Sequence, residues 1–192
     1  MNSLDLHLPK ELELPYQLYT GNIQEMLLQL RSGQRRPMYM FDFMKRLGQI
    51  TSYPDLSQQW KNLCPTLGDA IAWHPYGSVR FIGGGPGLWD SLLKSRLQDG
   101  VVELVGNSYE SLEGLHIPAF RLLKPDNRNA LEKEIFAYFG VSSEGRHIAF
   151  PKPKGYPCLT LLAFSNEGKL LGHSRLDDKG SLVGVKGNLW FR

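Results

Sequence analysis

Residues 79–106, VRFIGGGPGLWDSLLKSRLQDGVVELVG, hold the clearest structural pattern in the chain. Val79, Phe81 and Ile82 form a β-branched and aromatic run that enters a glycine cluster, Gly83, Gly84, Gly85 and Gly87, with Pro86 inside it. Such side chains suit a pleated strand, whereas glycine permits a tight turn with positive φ. An amphipathic helix pattern follows, and then a second strand-like run from Val101 to Val105. The order predicts a strand–helix–strand unit at the centre of the chain, with a tight glycine turn at the helix start.

Toward the N-terminus the pattern is helical. Pro9 and Pro15 among alternating leucines favour an extended segment over the first 20 residues. Ile23, Met26, Leu27 and Leu30 then keep i, i+3, i+4, i+7 spacing, as do Met40, Phe43, Met44 and Leu47, each set ended by a glycine. Asp55 offers a cap for a third helix with Leu56, Trp60 and Leu63 on one face. Toward the C-terminus, a strand is predicted around Ala119–Leu123. A helix follows, with Asn129 and Glu132 at capping-box spacing and Leu131, Ile135, Tyr138 and Phe139 as its buried stripe. Strands at Leu159–Phe164, Lys169–Leu176 and Ser181–Val185, joined by SNEG and DDKG turns, complete the reading. The fold class this predicts is α+β: a helical N-terminal third, the central strand–helix–strand unit and a C-terminal antiparallel β-meander. With 192 residues, 42% hydrophobic, one domain over residues 1–192 is expected.

A strand, a glycine turn and a helix is also how phosphate-binding loops are built. With Gly83 and Gly85 as the first glycines of G-x-G-x-x-G, however, Leu88 stands at the third position, and no Lys-Ser or Lys-Thr pair follows. Pro86 removes one N–H donor from the cradle. The expectation is a structural turn without a nucleotide, and no cofactor. The five histidines are scattered, without the i, i+4 pairing of a helical metal site, and Cys64 and Cys158 each stand next to a proline. No metal is expected. The most catalysis-like set is His173, Arg175 and Asp177, which period-two alternation would put on one strand face as a base, a charge clamp and a carboxylate. Polar alternation on an open face accounts for the same residues, so the expectation leans away from an enzyme.

Charge supplies the functional expectation. The net charge is +3, but residues 1–30, 31–61, 62–144 and 145–192 carry −3, +4, −3 and +5. The two basic segments contain interleaved aromatics. Arg35, Arg36, Lys45 and Arg46 flank Tyr39, Phe41 and Phe43, while Lys152, Lys154, Lys186 and Arg192 accompany Tyr156 and Trp190. Arginine and lysine with flat rings neutralise phosphates and stack bases, so one continuous basic face that binds single-stranded nucleic acid or RNA is expected. A protein–protein adaptor or inhibitor is the alternative, and a small nuclease or hydrolase on the His173 face comes third. No apolar run approaches the ~20 residues of a membrane span, and the acidic start does not resemble a secretory leader. No membrane partner and a cytoplasmic location are therefore expected.

Overall fold

In the computed structural model, the described residues are 16–75, 77–95, 97–98, 100–122, 124–150, 155–172, 176–177 and 179–186. The chain enters as a strand, β1 (Tyr16–Asn22), before α1 (Ile23–Ser32), and a short strand β2 (Arg35–Pro37) precedes α2 (Met40–Gln49) and α3 (Pro54–Asn62). Next come β3 (Thr66–Trp73), β4 (Ser78–Ile82), α4 (Pro86–Lys94), β5 (Leu97–Gln98), β6 (Val101–Glu103) and β7 (Leu115–Pro118). The remainder is α5 (Ala119–Leu122), α6 (Arg128–Tyr138), β8 (His147–Ala149), β9 (Cys158–Phe164), β10 (Lys169–Gly172) and β11 (Lys179–Lys186).

These elements make a mixed α/β fold, not the α+β arrangement expected above. All eleven strands belong to one sheet, whose longest path runs β1-β11-β3-β9-β10-β8. The N-terminal third is not helical, because β1 and β2 lie within it and both pair with β11. Nor is the C-terminal third a meander. β9 and β10 pair as an antiparallel hairpin, but β10 then pairs parallel with β8, and β11 lies between β1 and β3. Turn residues and alternation announce a strand, but its partner is chosen by which apolar faces the whole chain brings together. The central unit is open in the same sense: β4 pairs with β3 and β7, while β6 pairs with β5 and β9.

Two cores explain the layering. On one face of the sheet, Met40, Phe43 and Trp60 of α2 and α3 and Leu131, Ile135 and Phe136 of α6 pack on Ile71, Trp73, Val79 and Phe81. On the other, Ile23, Met26, Leu27 and Leu30 of α1 and Trp89 and Leu92 of α4 pack on Ala70, Ala72, Leu159 and Leu161. Successive residues of β3 and β9 therefore feed opposite cores, and both strands are buried along their whole length. The helices of the first third match their apolar spacing: the predicted stripe of α1 is its buried set, and Asn22 caps it by accepting the Glu25 N–H at 3.2 Å.

Local expectations change as well: Tyr53, not Asp55, precedes α3, and Tyr138 of the expected α6 stripe is 41% exposed. Residues 119–122 are helical, and the strand is its predecessor β7. Asn127, not Asn129, precedes α6. Glu132 makes no capping box there, because its carboxylate turns inward to accept the Ile148 N–H at 3.0 Å. Cys64 is exposed and takes φ of 42° just after α3.

Candidate functional site

The pairing of β3 with β9 shifts register between Thr66 and Ala70, and Asp69 lies in that irregular stretch. Its buried carboxylate accepts the Met40 N–H at 2.5 Å and the Gly84 N–H at 2.9 Å, fastening the start of α2 to the glycine loop. Burial pushes the Asp69 carboxyl up to about 6, although both N–H donors act in the other direction. The Tyr39 ring is held between Gly68 and Gly84, and a side chain on either glycine would collide with it. Arg36 lies 4.5 Å from that ring's centroid and pairs with Asp42. The loop is therefore a packed junction. None of its glycines has positive φ, and Gly85 is extended at −170°, so the expected positive-φ turn is replaced by extended backbone.

The same junction decides whether the loop can cradle a phosphate. Gly83 N–H donates to the Tyr138 hydroxyl at 3.2 Å, Gly84 N–H is bound to Asp69, and Pro86 has none. Converging free donors are what a phosphate loop needs, and here two of the loop's N–H groups are engaged and a third position has none. Beside the loop is a cleft of about 520 Å³. It is walled by Leu88 and Leu92 of α4, Val102 of β6, Leu159 of β9 and the segment bearing Leu104, Leu112 and Glu113.

A second concavity, of about 430 Å³, lies at the sheet's β8 end. Arg121, Lys124 and Arg128 line it over Leu122, Leu131, Ile148 and Phe150. Phe150 is held edge-on to Phe81, with centroids 6.3 Å apart. Arg128 also seals the strand: its guanidinium donates to the Ile148 carbonyl at 3.1 Å and to Glu132 at 3.1 Å, so α6 side chains satisfy both backbone groups of Ile148. Burial raises the Glu132 carboxyl, but the Ile148 N–H, Arg128 and His147 outweigh it and hold the group below its ordinary value. Arg121 pairs with Glu134 at 2.5 Å, and Lys124 is exposed without an ion pair among the described residues.

The sequence-predicted cations are dispersed by comparison. Arg35 and Lys186 are cross-strand neighbours in the β2–β11 pairing, so the two basic segments do meet at that point. Arg35 also lines a polar groove with Gln17, Tyr19 and Gln29. Arg36 is half-buried against Asp42, and Lys45 is exposed on α2. Arg46 is fully buried, its guanidinium 5.2 and 5.4 Å from the Tyr16 and Trp60 ring centroids, so it belongs to the core and to no surface. Phe43 is core as well, whereas Phe41 is exposed. Lys152, Lys154 and Arg192 lie outside the described residues.

So do His173 and Arg175 of the catalysis-like set. Asp177 is exposed in a bend, not on a strand, and its carbonyl accepts from the Asn22 side chain at 3.0 Å. Among the described residues, no group of three histidine, cysteine or acidic side chains is placed to hold a metal ion. Nor is any helix among them long and apolar enough to cross a membrane. The groove at β8 was missed because Arg121, Lys124 and Arg128 sit in the segment of net negative charge; the available signal was three bases in eight residues after the exposed Phe120. No family model, curated protein or solved structure matches the chain.

Proposed function

We propose that this protein binds single-stranded nucleic acid, RNA foremost, without catalysis, and that the groove at β8 is the contact surface. One observation carries the reading: among the described residues, three cations and no carboxylate line that groove, above a floor that includes an aromatic ring. The cleft beside the glycine loop, in contrast, is lined among the described residues by one carboxylate and no cation. Phosphates of a single strand would meet Arg121, Lys124 and Arg128, while an unstacked base has a π-face to lay on Phe150. A duplex keeps its base faces stacked and offers Phe150 nothing comparable. Glu132 and Glu134 stand behind two of the three cations, which fixes the guanidinium groups but weakens the field, so modest affinity is expected.

Fluorescence anisotropy with oligo-U RNA and oligo-dT over a salt series tests this. Neutralising three phosphates on a single strand gives a slope of log K against log salt near about −2. Lys124→Ala should reduce its magnitude by roughly 0.7 without unfolding the protein. A Lys124→Glu, Arg121→Ala variant that binds RNA as the wild type does would remove the groove from consideration. Loss on Arg35→Glu instead would return the contact to the β2–β11 pair. Phe120 beside the groove is 61% exposed, which favours a protein–protein adaptor as the second reading. Salt-insensitive capture of one protein, with no RNA binding, supports that alternative.

A further inference from the structure

We infer that the cleft beside the glycine loop is a binding site for a small apolar molecule carrying an ammonium group, independent of the nucleic-acid reading. The glycines give the first reason. Gly84 is required by packing, because its β-carbon would strike Tyr39 and the Gly68 carbonyl. A β-carbon on Gly85 or Gly87 would meet nothing within 4 Å, and one on Gly83 would meet only the Tyr138 hydroxyl, at 3.7 Å. Neither φ nor internal packing demands glycine at these three positions, and all three line the cleft. What their lack of side chains does is keep the space open and let an occupant approach the backbone.

The polar inventory fixes the occupant's chemistry. Ser91 and Ser111 donate their hydroxyl protons to the Gly87 and Ser108 carbonyls at 2.8 and 3.0 Å, and Ser95 donates to the Ser91 carbonyl. Each hydroxyl therefore presents lone pairs to the cleft. Glu113 adds an exposed carboxylate that makes no ion pair with the described residues. Among the described lining residues, the Tyr138 proton is the one side-chain donor whose hydrogen is not already committed, since its oxygen receives the Gly83 N–H. Acceptors and a negative charge thus surround an aliphatic wall, and among the described residues no cation lines it. A phosphate or carboxylate ligand would meet the Glu113 charge, and the Gly83 and Gly84 N–H groups are already taken. An ammonium group on a compact hydrocarbon finds Glu113 for its charge, serine oxygens for its N–H groups and leucines for its body. The volume of about 520 Å³ falls in the range of small-molecule sites.

Phenethylammonium, phenethyl alcohol and phenylacetate, three probes of similar size and different charge, test the inference by protein-observed NMR titration. Phenethylammonium should saturate and bind about three-fold tighter than the alcohol, the contribution of one exposed ion pair, with phenylacetate weakest. Glu113→Gln should erase the preference for the amine while leaving the alcohol unchanged. Gly85→Leu, whose side chain fills the cleft, should abolish binding of all three with the thermal melt preserved; Gly87→Leu at the helix start serves if Gly85→Leu does not fold. Equal binding of phenylacetate and phenethylammonium overturns the charge assignment. Unsaturable binding of the amine, or undiminished binding in the filled variant, overturns the site.

Discussion

A β-carbon built on Gly84 falls inside the Tyr39 ring, while one on the adjacent Gly85 meets open space. Gly84→Ala should therefore destabilise the fold by about 2 kcal/mol or more through overpacking, and Gly85→Ala should stay within about 0.5 kcal/mol of wild type. Equal urea midpoints for the two variants would contradict the packing described for Tyr39. Asp69, bound to the same loop, yields a pH prediction of unusual sign. Its carboxyl is raised from 3.8 to about 6 by burial, so between these values the native state binds more protons than the unfolded chain. Stability from this group is fully present below 3.8 and is lost as pH rises through about 6. Between about pH 7 and pH 4, wild type should gain on the order of 3 kcal/mol relative to Asp69→Asn, which has no such titration. A stability difference independent of pH in paired urea melts would show that the carboxyl is not raised.

At the scale of elements, β8 is an edge strand closed by a helix. The Glu132 and Arg128 side chains bond the N–H and carbonyl of Ile148, where a further strand would otherwise pair. Glu132→Leu leaves that N–H unsatisfied in a buried setting and should cost about 1–3 kcal/mol, with Glu132→Gln costing less because an acceptor remains. The leucine variant should also exchange the Ile148 amide faster and associate through its opened edge, measured by hydrogen exchange and light scattering. Retained amide protection in Glu132→Leu would mean the edge is sealed by something else. The pH sign here is opposite to that of Asp69. The Glu132 carboxyl is held below its ordinary 4.5, so its contribution is present above that value and is lost as pH falls through the depressed folded value. Acid should therefore loosen β8 first while relieving the buried charge at Asp69.

For the molecule as a whole, β3 and β9 are the shared wall of two cores, the one built with α2, α3 and α6 and the other with α1 and α4. Opening either strand exposes both cores, so their amides should exchange only through global unfolding, while β5, with two residues and a single partner strand, exchanges through local opening. Hydrogen exchange followed by mass spectrometry checks this ranking, and protection in β5 equal to that in β3 would contradict it. The two cavities with functional character lie apart in the sheet. One stands over β6 and β9 beside α4, the other at the β8 end against α6. This separation lets the nucleic-acid and ammonium readings be tested by independent substitutions.

The apolar stripes of α1 and α2 were legible in the sequence because a 3.6-residue period needs only one chemistry, a face turned to some core. Strands β4, β9 and β11 were legible from β-branched runs and turn residues. β3 was not: TLGDAIAW has no alternation and carries Gly68 and Asp69, yet it is the strand that joins β11, β9 and β4. It is a strand because helices cover both its faces, and that covering is a property of the assembled chain. Strand partners were beyond reach for the same reason, which is why a C-terminal meander was expected where β11 in fact joins β1, β2 and β3. The sequence located the glycine loop and the inventory of charge. Only the tertiary structure decided which charges are surface, burying Arg46 between rings, setting Arg35 beside Lys186, and laying the neighbouring Arg121, Lys124 and Arg128 over Phe150. Period and composition register what a residue needs from its surroundings; which residues supply it is settled by packing across the sheet.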